Sequence, residues 1–279
     1  LSMINIATSM FFAEISGSAV ADVAALGSIL IPAMKKKGYP GPFAAAVTSS
    51  SASLAIIIPP SIPMIVYAVM AQSSVVQLFV AGVVPGIIGG FFMMFAAYIY
   101  ARRKNLPIEE SFNLVNLRKT AKEAALAFLL PIIILGGIFG GVVTATEGAG
   151  LAVVAALIIG LIYREFDFKR LYQAATEGAI QTAAVMLLVA ASVLLGEFLT
   201  VEQIPQKVAE SIIEMTQNKY AVLAILNVFL LVIGFFLHSV AAIILTVPIV
   251  MPLVNAVGID PVHFGIIVTL NLAIGQQTP

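Results

Sequence analysis

Cysteine and tryptophan are absent from this chain, and charge is scarce. Without cysteine there are no disulfides and no thiolate chemistry, and the redox compartment is unreadable. Charged residues make up 10% of the 279 positions, where a soluble domain carries roughly 25%. Basic and acidic side chains number 14 each, so no basic surface argues for nucleic acid. The two histidines and the scattered acids show neither nucleophile–base spacing nor transition-metal ligand spacing. With no tryptophan, interfacial anchoring falls to Tyr39, Tyr98, Tyr100, Tyr163 and Tyr220. What fills the chain is apolar: 61% hydrophobic residues and a mean hydropathy of +1.07. This composition defines an integral membrane protein, with the lipid bilayer as its first partner. Leu1 and Pro279 both lie inside apolar runs, with no initiator methionine and no signal-peptide design, so the sequence reads as truncated at both ends.

Ala44 to Met64 is the most informative stretch. It is apolar except for Thr48, Ser49, Ser50, Ser51 and Ser53, and it ends in Pro59, Pro60 and Pro63. Each proline lacks an N–H, so in a helix the carbonyls of Ala55, Ile56 and Pro59 lose their partners. Hydrocarbon does not tolerate such carbonyls unless protein, water or ligand satisfies them. Free carbonyls beside hydroxyls offer an oxygen-only site for a hard cation, of the kind transporters build at the midplane. The alternative is a proline kink repaired by neighbouring serines.

The pattern predicts an all-α membrane protein in three parts. Residues 1–104 hold a re-entrant hairpin (1–37) turning at Ser16-Gly17-Ser18, a broken helix (42–71) and a span (78–101). Neither arm of that hairpin, Leu1 to Ile15 or Ala19 to Met34, reaches the roughly 20 residues a crossing needs. Residues 105–219 hold scaffold spans at Glu123–Gly141, Gly148–Tyr163 and Ala179–Leu199, with interfacial helices at 105–122 and 202–219. The Gly136-Gly137 and Gly140-Gly141 pairs suit close helix contact. Residues 220–279 repeat the opening: a hairpin (220–254) turning near Gly234 to Ser239, then the start of a broken helix (262–279). Lys35-Lys36-Lys37, Arg102-Arg103-Lys104 and Arg164 with Lys169-Arg170 all fall on one side of this topology, the cytoplasmic one. Glu14 and Asp22 flank the first turn, either at membrane depth for a function or at a water-exposed tip. Glu147 opens a span behind Thr144 and fits a helix cap. His263 begins a helix and reads as structural.

The two hairpin-plus-helix units match at a constant offset of 220 positions: Pro32 with Pro252, Gly38 with Gly258, and Pro59 with Pro279. Ser18 then falls opposite His238 and Ser51 opposite Asn271. The topology places an odd number of crossings between equivalent points, so the units are expected to be inverted. Inverted repeats with broken helices mark secondary transporters. By the same logic the complete protein is expected to carry roughly 115 further residues upstream and roughly 45 downstream.

Several segments also resemble a known family. Ile15-Ser-Gly-Ser-Ala-Val-Ala-Asp22, Gly38-Tyr-Pro40, Phe43-Ala-Ala-Ala-Val-Thr48, Ile58-Pro-Pro-Ser-Ile-Pro63, Thr144-Ala-Thr-Glu-Gly148 and Gly258-Ile-Asp-Pro-Val-His-Phe-Gly265 are similar to the large membrane subunit of tripartite ATP-independent periplasmic (TRAP) transporters. The resemblance covers nearly the whole chain in order. It implies an elevator-type, sodium-coupled importer of organic acids such as C4-dicarboxylates or sialic acid in the bacterial inner membrane. The implied partners are a small membrane subunit and a periplasmic substrate-binding protein. Sodium is the implied coupling ion, with no organic cofactor and no transition metal. One implied sodium clamshell joins Ser16, Gly17 and Ser18 to Ser51 and the carbonyls of Ala55 and Ile56. The other joins Gly234, His238 and Ser239 to Asn271 and Thr278. The substrate carboxylate is expected between the hairpin tips, near Ser18, Asp22, Ser61 and Ser239. Three other readings compete: a stand-alone sodium/carboxylate symporter, a passive channel, and a membrane enzyme using Glu147, His238 or Asp22. The missing catalytic spacing argues against the last.

Overall fold

The computed structural model describes residues 1–106, 114–164 and 166–278, and every element among them is helical. The chain divides into two compact units, residues 1–106 with 185–279, and residues 107–184. Five helices are long and apolar enough to cross a membrane.

The first unit opens with α1 (Ser2–Ser16) and α2 (Ala19–Lys36), which pack against each other. Gly17 separates them. Its φ of 59° is left-handed, and its N–H caps α1 by donating to the Ala13 carbonyl. Ser18 then caps α2, its side chain accepting from the Ala21 N–H at 3.5 Å. After Gly38, at φ 84°, the chain enters α3 (Gly41–Ala52), a 3-10 turn (Ser53–Ile56), a non-helical break, and α4 (Ile62–Met70). The broken helix expected from the prolines is therefore present, and the Pro59–Pro60 peptide bond is cis. Ser51 through Pro59 are buried without exception.

A 29-residue helix, α5 (Val75–Arg103), backs onto this break. Gly82, Gly86 and Gly90 recur every four residues, a small-residue face for close approach. A Cβ on Gly82 would sit 2.6 Å from the Ile57 carbonyl oxygen, one on Gly86 2.6 Å from Ile58 Cγ1, and one on Gly90 2.3 Å from Met10 Sδ.

The second half of this unit has α9 (Ile204–Met215), α10 (Lys219–Phe236), α11 (Ser239–Ala256) and α12 (Pro261–Gly275). The offset of 220 holds at the level of helix ends. α2 and α11 both have 18 residues and start and stop at equivalent positions, Gly38 and Gly258 both have positive φ, and α3 and α12 begin at 41 and 261. Pro279 lies outside the described residues. α10 and α11 also count among the helices long enough to cross, and 18 residues cover about 27 Å. Length alone therefore does not make an arm re-entrant.

α11 is the core helix, burying Val240, Ile243, Val247 and Val254 against α4, α9 and α12. The two halves are tied where the Tyr67 hydroxyl donates to the Pro261 carbonyl at 2.7 Å. Gly265 admits that ring: a Cβ there would lie 2.5 Å from Tyr67 Cε1.

In the second unit α6 (Leu114–Phe139) packs on α7 (Ala145–Ile162), and the unit boundary falls within α8 (Phe168–Val201). Three sequence expectations need correction. The interfacial helix expected at 105–122 partly lies outside the described residues, and from Leu114 onward it is continuous with the span, because no glycine or proline interrupts Leu114 to Leu130. Gly136 to Gly141 do not form a helix contact. The Gly140 N–H donates to the Gly136 carbonyl, Gly141 takes φ 68°, and the cluster ends α6. Residues 185–219, grouped with the scaffold by sequence, belong to the same compact unit as the hairpins, where Pro205 and Ala209 of α9 are buried and α9 packs on α11. Thr144 and Glu147 form the expected cap, Glu147 Oε2 accepting from the Thr144 N–H at 2.8 Å.

Gly82→Ala should lower stability by about 1–3 kcal/mol, because a backbone oxygen stands in the way. Gly150→Ala, with open space around it, should not destabilise. Thermal unfolding in detergent distinguishes the two.

Candidate functional site

The first hairpin tip is seated on the break. The Ile62 N–H donates to the Gly17 carbonyl at 3.3 Å, and a Cβ on Gly17 would lie 2.7 Å from the Pro60 carbonyl oxygen. Only a residue without a side chain fits there. Around Gly17 the polar groups converge. The Ser16 hydroxyl donates to Asp22 Oδ1, and the Ser18 N–H donates to Ser16 Oγ at 3.2 Å. Asp22 is fully buried in the first turn of α2, and its Oδ2 has no hydrogen-bond partner. A carboxylate oxygen without a donor is costly in a dry site, so it calls for a proton or a cation.

Of the residues expected at the first clamshell, Ser16, Gly17 and Ser18 therefore meet at the tip, with Asp22 beside them. Ser61 stands at the facing break and caps α4, accepting from the Met64 N–H at 3.4 Å. It also donates to the Ile56 carbonyl at 2.6 Å. The Ile56 carbonyl is therefore not the orphan the prolines imply, since a serine five residues on has replaced the missing N–H. Leu54 contributes similarly, its carbonyl accepting from both Ile57 and Ile58 N–H. Ser51 is directed elsewhere: it shares a 2.8 Å hydrogen bond with Ser9 and donates to the Thr48 carbonyl. One turn away, Asn5 Nδ2 donates to Thr48 Oγ1 at 2.7 Å. These bonds fasten α3 to α1.

The second hairpin repeats the arrangement with different atoms. Gly234 meets α12 backbone to backbone, a Cβ on it falling 3.1 Å from Leu272 Cα and 3.3 Å from Gly275 Cα. Asn271 Nδ2 donates to Asn227 Oδ1 at 2.6 Å and to the Ile267 carbonyl at 2.8 Å. Ser239 is buried at the start of α11, whereas His238 is exposed and caps α11 without a side-chain bond. Thr278 is exposed beyond α12, its N–H on the Gly275 carbonyl. Among the described residues, no hydrogen bond joins His238, Ser239 or Thr278 to Asn271. Sequence reasoning missed Ser9, Asn227 and Gln277, whose Oε1 accepts from Ser49 at 2.9 Å and links the end of α12 to α3. Asn5 and Ser9 at i and i+4 on α1 were the available signal.

The described residues hold no group of three His, Cys, Asp or Glu side chains suited to a transition metal. The donors present are hydroxyls, carbonyls, amides and one buried carboxylate, which match a hard cation rather than a soft one. Among the described residues, Asp22 Oδ2 is a buried carboxylate oxygen without a hydrogen-bond partner.

These features define a polytopic membrane protein in which repeated helical hairpins each pack on a partner helix, the first of which is interrupted. Residues 1–279 match the family model of the tripartite ATP-independent periplasmic transporter, DctM component, and the chain belongs to that family. It is 42% identical over 281 residues to the isethionate TRAP transporter permease protein of Oleidesulfovibrio alaskensis, covering 100% of this chain and 44% of that protein. It is 40% identical over 271 residues to the C4-dicarboxylate TRAP transporter large permease protein of Pseudomonas aeruginosa, covering 97% and 64%. With the sialic acid TRAP transporter large permease protein of Vibrio cholerae, identity is 35% over 280 residues, covering 100% and 66%. The chain thus spans two-thirds or less of these curated relatives. It is a multi-pass inner-membrane protein of a family of permeases, not of enzymes.

Because the part-buried Asn227–Asn271 bond joins two helices, the double variant Asn227→Ala with Asn271→Ala should cost less than the two single variants added together. The coupling expected in a thermodynamic cycle is about 0.6–1.7 kcal/mol. Strict additivity would show that the pair does not hold α10 on α12.

Proposed function

We propose that the chain forms the ion- and substrate-binding part of a TRAP large permease that imports an organic acid with sodium. In this reading the two hairpins are re-entrant and inverted, and they move with their broken helices and α5 in an elevator motion. A small membrane subunit and a periplasmic substrate-binding protein complete the system. The substrate class is an organic anion: the relatives are named for isethionate, C4-dicarboxylate and sialic acid.

The observation that carries this reading is the seating of Gly17 on Pro60 to Ile62, next to the bare Oδ2 of Asp22. A carboxylate repels an anionic substrate, so Asp22 stands on the cation side with Ser16, Gly17 and Ser18. Substrate oxygens fall to the hydroxyls of Ser18 and Ser239 and to the positive ends of α2, α4 and α11, the Ser61 proton being spent on the Ile56 carbonyl. The Ala55 carbonyl lines the first sodium site from the turn after α3, whereas Ser51 and the Ile56 carbonyl, engaged by Ser9 and Ser61, do not. Gly234, His238, Ser239, Asn271 and Thr278 line the second.

Ser18→Ala should raise the sodium concentration for half-maximal uptake about fivefold, the loss of one ~1 kcal/mol oxygen contact. Asp22→Asn should raise it more than tenfold, whereas the exposed Ser28→Ala should not change it. The assay is uptake into proteoliposomes by the complete permease with its partners. Unchanged sodium dependence in both tip variants would sink the first site. Full-rate uptake of free substrate without the binding protein would replace the three-part system by a stand-alone sodium/carboxylate symporter.

A further inference from the structure

A crevice of about 330 Å³ opens between α3 and α5, apart from the hairpin tips. Its walls include Phe43, Ala46 and Val47 from α3 and Met93, Ala96 and Tyr100 from α5. The lining is almost wholly apolar, and the volume lies at the lower end of the ~300–1,000 Å³ typical of ligand sites. At one end it is closed by the stacked rings of Phe43 and Tyr100, with centroids 4.3 Å apart and planes 11° apart.

Beyond those rings the surface turns basic. Met93, Ala96 and Tyr100 lie on one face of α5, and the same face continues one turn further to Arg103 and Lys104. On the opposite wall the Lys35 side chain passes Gly41, its Cε 3.7 Å from where a Cβ would stand, two residues before Phe43. The stretch that supplies these charges is free of acids, since the sequence contains no Asp or Glu between Asp22 and Glu109. Basic clusters of this kind mark the cytoplasmic face, where anionic lipid is concentrated. An apolar slot leading to a ring pair and then to a group of cations has the profile of one lipid molecule.

We propose that this crevice binds an anionic phospholipid, with an acyl chain between α3 and α5 and the phosphate at Lys35, Arg103 and Lys104. In the complete permease, purified and stripped of lipid, phosphatidylglycerol should raise the melting midpoint by about 2–4 °C. Phosphatidylethanolamine should not. Ala96→Phe fills the slot, and Arg103→Gln with Lys104→Gln removes the charge; each should abolish the shift. If either variant folds poorly, a benzophenone side chain at Ala46 decides the matter by cross-linking to lipid. Equal shifts with the two lipids, a full shift in both variants, or cross-linking to an upstream segment or to the small subunit would each overturn the site.

Discussion

A membrane helix interrupted at its centre must find partners for its backbone within the protein, since lipid provides none. Everything in the larger unit is arranged around that constraint at residues 57–61. Ser61 supplies the donor that Pro60 lacks, and Leu54 accepts twice. From one side Gly17 accepts the first N–H of α4, and from the other Gly82 lets α5 close on the Ile57 carbonyl. A side chain at either glycine would push the covering element off and wet the break. The burial of every residue from Ser51 to Pro59 is the result.

The second half meets the same topology with a different solution. Where the first hairpin turns through a left-handed glycine, the second passes through Leu237 and His238 in extended conformations. Where Ser9 and Ser51 join α1 to α3, two asparagines with longer reach join α10 to α12. The close backbone approach is kept, but it moves from the tip to Gly234 and Gly275. The length of α2 and α11 and the turn glycines at 38 and 258 are therefore shared between the halves, while polar contacts are not. The first tip carries a buried acid and the second an exposed histidine.

Much of this architecture was legible from local chemistry. Pro59 and Pro60 announce a break, Gly17 and Gly38 announce turns, and Thr144 with Glu147 spells a cap, because each acts within a few residues of itself. The 220-residue offset was legible for the same reason, since turn residues fix helix ends. What escaped was tertiary. Nothing local says that Ser51 prefers Ser9 to the tip, or that Asn271 finds Asn227. The Gly82, Gly86 and Gly90 row was visible, but only the partner surface tells a packing stripe from the helix-ending glycines at 136–141. The boundary expected at residue 122 failed because charge was read as a boundary where Leu114 to Leu130 offer no breaker.

Asp22 gives the arrangement its polarity. An importer of anions gains nothing from a buried carboxylate facing its substrate, and hydrocarbon depth makes such a charge expensive. The cost is offset if a cation occupies the same pocket, because the pair is then neutral and the neighbouring helix N-termini are released to face the substrate. Under the proposed function, a tip without its cation repels an arriving anion. With it bound, that repulsion is removed and the dipoles of α2 and α4 dominate. Ion and substrate binding are then linked by electrostatics alone, without any shift in backbone position, and the linkage is reciprocal. In the proposed cycle this places coupling at a single oxygen of the first hairpin, held in place by Ser16 and roofed by the turn at Gly17.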